Sequence, residues 1–441
     1  MLKRIFSRAI LLAVLVSAGS AAYAQSGEYL SYTPYSIFGI GDLSNQGSAY
    51  NRSMGGVGVA SRNVRYLNTL NPASVTARDS LSFLLDFSLT NNNTLYRQGE
   101  NRSARNITNL SNIGVSFPIW RSLAMTMGVA PYSSCGYIFS VKETDPVAIA
   151  NNGNITYYDY GQGGLYRLYG GLGYALTKSL SIGAEADYIF GSSTKYFTET
   201  FSNTGVNTVK DTYTLNLSSF TGKFGVQYEQ KLGSKTKLDL GATYTLASNL
   251  NGTVDYTHQS VGSVENVTVS SWSDTLSNNP GKVRLSGELA VGVSLNFEER
   301  LRLELDYIRA DWRNTGMGTV EGFSCSNSAL PFRAGVRQSY RAGMEFTPDR
   351  YNVRYYSRRI SYRAGAYYNN EYYTVGGSEI NSFGITLGAT LPVFRWYNGL
   401  SVALDLGQRG TTDSALVRER YARISVGLNL HDIWFQKRRY E

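Results

Sequence analysis

Past about residue 79, apolar and polar positions alternate with a period of two. Leu285, Gly287, Leu289, Val291, Val293, Leu295 and Phe297 form one set, with Arg284, Ser286, Glu288, Ala290, Gly292, Ser294 and Asn296 between them. Leu301, Leu303, Leu305 and Tyr307 alternate with Arg302, Glu304 and Asp306 in the same way. One apolar face at this period suits a barrel strand between lipid and a wet lumen, but also a strand of a soluble sandwich. Connection lengths separate the two. About fourteen strands are predicted, near 80–91, 106–120, 122–140, 157–177, 179–195, 212–231, 235–249, 281–297, 300–313, 336–348, 359–373, 379–393, 399–409 and 416–431. Turns after every second strand are short, as at Trp120-Arg121-Ser122, and the intervening connections are mostly long and rich in Asn, Ser, Thr and Gly. That asymmetry predicts an all-β protein: a transmembrane antiparallel barrel with long loops outside the cell and both termini in the periplasm. The stretch 349–358 is the exception, long on the short side.

Aromatic residues gather at strand ends: Trp120, Tyr196-Phe197, Trp312, Tyr372-Tyr373, Trp396-Tyr397 and Trp434-Phe435. They are read as girdles at headgroup level.

The first residues predict export. Lys3, Arg4 and Arg8 precede an apolar stretch from Ala9 to Val16, and Ala22-Tyr23-Ala24 is a cleavage site, so 1–24 is assigned as a signal peptide. No cysteine follows it, and a lipid anchor is not expected there. Removing three cations leaves 39 Lys and Arg against 33 Asp and Glu, about +6, with no basic run long enough to track phosphates. No nucleic-acid partner is expected. The 45 Gly, 34 Tyr and 18 Phe, without a long apolar run after residue 24, exclude a helical membrane protein. Cys135 and Cys325 are too far apart in sequence to predict whether they pair.

Residues 25–78 alternate poorly and are rich in Gly and Asn. They predict a hatch folded inside the lumen, ahead of a barrel over 79–435 and a short periplasmic tail over 436–441. The alternative is a disordered periplasmic extension.

Motifs within this segment resemble the N-terminal hatch of the long-chain fatty-acid transporter (FadL-type) superfamily. The residues are Met54-Gly55-Gly56-Val57-Gly58-Val59-Ala60 and the later Asn71-Pro72-Ala73-Ser74. Pro34 to Leu43, which includes Tyr35 and Phe38, resembles the opening of Bacteroidetes-type members. In the third strand, Gly128-Val129-Ala130-Pro131-Tyr132 resembles the family's glycine-proline-tyrosine stretch, although Ser133-Ser134 follow and the next glycine is Gly136. The resemblance implies fourteen strands, a hatch and a side opening at the third strand through which an apolar substrate leaves into the membrane. Pro131 removes a ladder donor, so a kink or bulge is expected between Gly128 and Gly136; alternatively, Pro131 simply lies near an exposed strand end. Tyr35, Phe38 and Tyr132 are the candidate ligand contacts. Gly55, Gly56 and Gly58 lack the trailing Lys-Ser/Thr of a phosphate loop and are read as a tight turn.

The predicted lumen face carries Lys223, Asp239, Arg284, Glu288, Arg302, Glu304, Asp306, Arg341, Glu345, Arg363 and Asp405. Such charges are either structural ion pairs or a conduit for polar solutes. His258 and His431 fall in no metal-ligand spacing, and no enzyme, cofactor or metal is expected. Arg350, Arg354, Arg358, Arg359 and Lys437 to Arg439 fall on the periplasmic side and are read as solvated, with contact to another envelope protein as the lesser reading. Three functions follow. The leading one is passive outer-membrane transport of small hydrophobic molecules, fatty-acid-like, captured at the outer loops and released sideways, with membrane lipids and the ligand as partners. The others are a general polar porin, and a non-transporting barrel partnering other envelope proteins in secretion or outer-membrane assembly.

Overall fold

The computed structural model describes residues 31–78, 82–203, 205–262, 266–276, 283–324, 331–393, 398–413 and 416–433. The barrel strands are Ser82–Gln98 (β1), Asn101–Trp120 (β2), Leu123–Ser134 (β3, resumed as Tyr137–Lys142), Ile155–Ala175 (β4), Leu180–Phe201 (β5), Thr208–Lys231 (β6), Thr236–Thr245 (β7), Glu288–Phe297 (β8), Leu301–Asp311 (β9), Val336–Phe346 (β10), Ser361–Val375 (β11), Ser378–Pro392 (β12), Gly399–Arg409 (β13) and Arg418–Ile433 (β14). Each pairs antiparallel with the next, and β1 pairs with β14 from Ser82↔Ile433 to Arg97↔Arg418. The sheet is therefore a closed fourteen-stranded barrel, which leaves no sheet edge in lipid. Leu289, Val291 and Val293 on β8, Leu303 and Leu305 on β9, and Phe383, Ile385 and Leu387 on β12 are exposed outward. Their inward neighbours are buried and mostly polar, which is the solvent arrangement the alternation requires.

Three sequence expectations are corrected. The register expected from Arg284 onward slips before β8: Leu285 is buried and Arg284 exposed, while Leu289 faces outward. Residues 284–285 pair separately with Ser248–Asn249, and the Ser286 hydroxyl donates to the Asp311 carbonyl at 2.7 Å, so strand phase is broken at Ser286-Gly287. Arg284 is consequently not a lumen charge. Second, the supposed loop 250–280 contains a hairpin, Asn251–Val261 with Asn266–Thr275, which continues the sheet by pairing on the outer half of β6. Third, Trp312, Tyr372 and Tyr373 are not girdle residues. They are 3%, 0% and 1% exposed and belong to an aromatic core in the outer part of the barrel, with Phe197, Phe323 and Phe332. Long outer strands make this possible: β6 has 24 residues, roughly twice the 9–11 that cross a bilayer. Among the described residues of that set, Trp120 alone is widely exposed. Trp396-Tyr397 and Trp434-Phe435, the expected signal peptide over 1–24, the expected tail over 436–441 and Cys325 lie outside the described residues; Cys135 is buried.

Candidate functional site: the inner segment and its wall

Residues 31–78 pack against the inward faces of the strands. Local chemistry shapes the segment first. Asn71 caps a 3-10 turn, Pro72–Thr76: its Oδ1 accepts from Ala73 N at 3.0 Å, and Pro72 sits where a missing N–H costs nothing. The Asn71 amide also donates to the carbonyls of Val59 (2.8 Å) and Val226 (3.2 Å), joining the two motifs to each other and to β6. Gly55 and Gly56 have φ of +72° and +81°, a turn that a side chain would strain. The Gly55 N–H donates to Thr386 Oγ1 on β12 at 2.8 Å. A Cβ on Gly55 would press on the Ala342 and Ala366 carbonyls, and one on Gly58 would meet Asn51 and Leu70.

The wall answers with its own glycines. A Cβ on Gly183 or Gly225 would overlap Pro72, one on Gly241 would overlap Val59 and Ala60, and one on Gly343 or Gly365 would overlap Met54. These positions let the segment's backbone lie against that of the strands. Sequence reasoning missed this belt.

Inward charges complete the fit. Asp306 Oδ2 accepts from the N–H groups of Gly58 (2.7 Å) and Val59 (3.0 Å). Arg341 donates to the Gly56 carbonyl at 2.8 Å, and Arg302 to Tyr50 Oη and Ser61 Oγ, both at 3.3 Å. The Arg363 guanidinium lies 4.4 Å from the Tyr50 ring centre, bonds Glu345 at 2.7 Å, and covers a Tyr50–Tyr66 stack. Arg302 and Glu304 are 3.8 Å apart, and Glu288 pairs with Arg337 at 3.2 Å. The segment's own Arg52 is held down to about 10 by burial and by Arg423 nearby.

At the third strand, pairing between β2 and β3 ends at Ile113↔Val129 among the described residues. Tyr132 is the extra residue of a bulge between Pro131 and Ser133 against β4. A Cβ on Gly128 would overlap Tyr169 and the Ile113 carbonyl, and one on Gly136 the Ser31 carbonyl. The side of β3 that β2 leaves is taken by Asp42–Leu43, which pairs with Ser134 and Ser133. Further out, the Tyr32 hydroxyl donates to the Ile138 carbonyl, its own carbonyl accepts from Tyr96 Oη, and its ring lies 5.0 Å from Arg105. Residues 31–44 therefore occupy the separation between β2 and β3.

Tyr35 and Phe38 face the protein rather than an open pocket. Phe38 stacks on Phe332 at 5.1 Å, and Tyr35 packs beside Tyr373. Tyr132 lines a cavity of about 90 Å³ bounded also by Arg167, Lys223 and Trp312. Arg341 and Gln46 connect its lining to a second cavity of about 30 Å³ beside Gly55 and Gly56. Pockets that bury a drug-sized ligand measure roughly 300–1,000 Å³.

A BamG family profile matches residues 1–441. The chain belongs to the BamG family. Its fold is also that of several solved channels and transporters. The CymD monoaromatic hydrocarbon channel aligns at a TM-score of 0.57 and 14% identity, covering 89% of this chain and 98% of that one. The Ralstonia pickettii toluene transporter TbuX gives 0.54 and 16%, covering 87% and 98%. A Pseudomonas aeruginosa FadL homologue gives 0.51 and 10%, covering 90% and 100%. No curated protein matches the chain significantly. This BamG-family chain is thus a closed fourteen-stranded β-barrel with the fold of these channels.

Proposed function

We propose that the protein is a closed barrel that works as a fixed partner in outer-membrane assembly or secretion, not as a conduit. The filled lumen carries this reading. Segment 31–78 is keyed into wall glycines and clamped by Asp306, Arg302 and Arg341, and the cavities beside it include ones of about 90, 30 and 20 Å³. Of the charges that would line a polar conduit, Asp306, Arg302 and Arg341 hold the segment, and Glu288, Glu304 and Glu345 are ion-paired to arginines of the wall. Fold likeness to hydrocarbon channels does not transfer their activity, since one barrel architecture hosts several functions.

One observation favours a second reading, passive transport of small hydrophobic molecules with sideways release. β2 and β3 part at Val129 beside the Pro131–Tyr132 bulge, so moving residues 31–44 would open the wall there.

Native mass spectrometry of the protein gently extracted from its own membrane separates the two. The expected spectrum shows the barrel bound to other envelope proteins and free of apolar small molecules. A stoichiometric hydrocarbon or fatty acid on an otherwise solitary barrel would overturn the partner reading and establish the transporter.

A further inference from the structure

The connection from β10 to β11, residues 347–360, is the long one on a face where the other connections span two to six residues. It is an ordered strap. Asp349 N donates to the Arg358 carbonyl at 2.9 Å, and Asp349 accepts from Tyr351 N (3.2 Å) and the Asn352 amide (3.0 Å). Asn352 Oδ1 in turn accepts from Arg354 N (3.1 Å) and Tyr355 N (2.7 Å), and Tyr356–Arg359 forms a 3-10 turn. Tyr356 Oη donates to the Pro392 carbonyl at 2.9 Å, and Arg350 bonds Glu299 at 3.5 Å, tying the strap to neighbouring strand ends.

Its two faces differ. Arg350 and Arg359 turn inward and line a small cavity with Arg65 and Tyr66 of the inner segment, which corrects the expectation that they are solvated. The outward face exposes Val353 (88%), Tyr351 (60%) and Tyr355 (48%). The guanidiniums of Arg354 and Arg358 lie 5.3 and 5.4 Å from the Tyr355 ring centre. The strap's single acid, Asp349, is engaged in the internal bonds above. What remains is an exposed apolar and aromatic spot flanked by two guanidiniums. Tyrosine and arginine anchors of this kind dominate protein interfaces, and guanidiniums match carboxylates geometrically. Because the strap is already ordered, binding there loses little conformational freedom. The inward anchoring to Arg65 and Tyr66 places the strap toward the periplasmic mouth rather than along the lipid rim, favouring a protein over a membrane surface.

We propose that the outward face of this strap, centred on Val353 and Tyr355 between Arg354 and Arg358, docks a periplasmic protein domain that presents carboxylates around an apolar pocket. The proposal rests on the partner reading above and deepens it.

The test places a photoreactive benzoylphenylalanine at position 353 (Val353→benzoylphenylalanine) in the full-length protein in its native envelope. A second copy of the experiment carries Arg354→Glu and Arg358→Glu as well. The expected result is one dominant protein adduct, falling at least tenfold with the charge reversals while the unboiled barrel keeps its gel mobility. An adduct to phospholipid only, no adduct, or a protein adduct indifferent to the reversals would overturn the docking surface. Native mass spectrometry of the doubly reversed protein separates the two levels. An envelope complex that survives the reversals sinks the strap and leaves the partner reading standing, whereas no complex even with the unaltered chain sinks the partner reading.

Discussion

Asp306 was legible in the sequence as an inward charge, but its partners were not, because they lie almost 250 residues away in a segment without regular alternation. The structure pairs it with two backbone N–H groups of the inner segment. Charge-assisted bonds of this kind contribute roughly 1.5–3 kcal/mol each, about twice a neutral one. Asp306→Asn keeps an acceptor and removes the charge, so a loss of about 1–3 kcal/mol is expected, read as a lower temperature for conversion to the slow-migrating form on gels. An unchanged transition would show that the clamp contributes little. Gly365 tests the belt itself. Its Ala variant puts a methyl group into the Met54–Gly55 backbone, an overpacking that costs about 1–3 kcal/mol. Gly170 has open space around its would-be Cβ, so Gly170→Ala should leave the transition where it is. Equal effects at the two sites would refute the belt. A glycine in a strand reads as a weak position from sequence alone, and its meaning appears only once the opposing backbone is placed.

At the scale of elements, period two located all fourteen strands but not where their phase breaks. Leu285 and Leu289 have the same parity and equal hydrophobicity, and only the irregularity at Ser286-Gly287 sends one inward and the other to lipid. Trp312 and Tyr372-Tyr373 were misassigned for a related reason. A ring near a strand end fits a girdle or a core equally well until the height of the strand above the membrane is known. The third strand was legible as irregular, through Pro131, whereas the two-residue strand Asp42–Leu43 that joins it was too short to see. Pro131→Val restores the missing N–H of β3. Since β2 has already left at Val129 and Asp42–Leu43 binds Ser133 and Ser134, the heat-modifiable migration of this variant should match that of the parent. Uptake of a radiolabelled hydrocarbon by cells carrying either form should likewise be equal. A several-fold loss of uptake in the variant would restore lateral release as the function.

For the whole molecule, the decisive question is whether the inner segment is a separate body or part of the barrel. Its own apolar cluster is small: Tyr50, Met54, Val57 and Tyr66. Segments below roughly 40 residues rarely fold alone, and one of this length with so few core residues is little better placed. It is bonded from many directions, by Thr386 on β12, Asp306 and Arg302 on β9, Arg341 on β10, Gln227 on β6 and Ser181 on β5. Local opening would therefore break bonds to several strands at once and expose buried ions, each of which is costly when left without its partner. Regions that open alone have few buried contacts and solvent-exposed hydrogen bonds, and this segment has neither. Its amides should accordingly exchange with deuterium only as the barrel unfolds. The N–H groups of Gly55, Gly58 and Val59 are expected to share, within about tenfold, the protection of strand amides in β9 and β10. Exchange thousands of times faster at those three positions would describe a plug that detaches while the barrel stands, which is the motion that a transporter needs and a fixed partner does not.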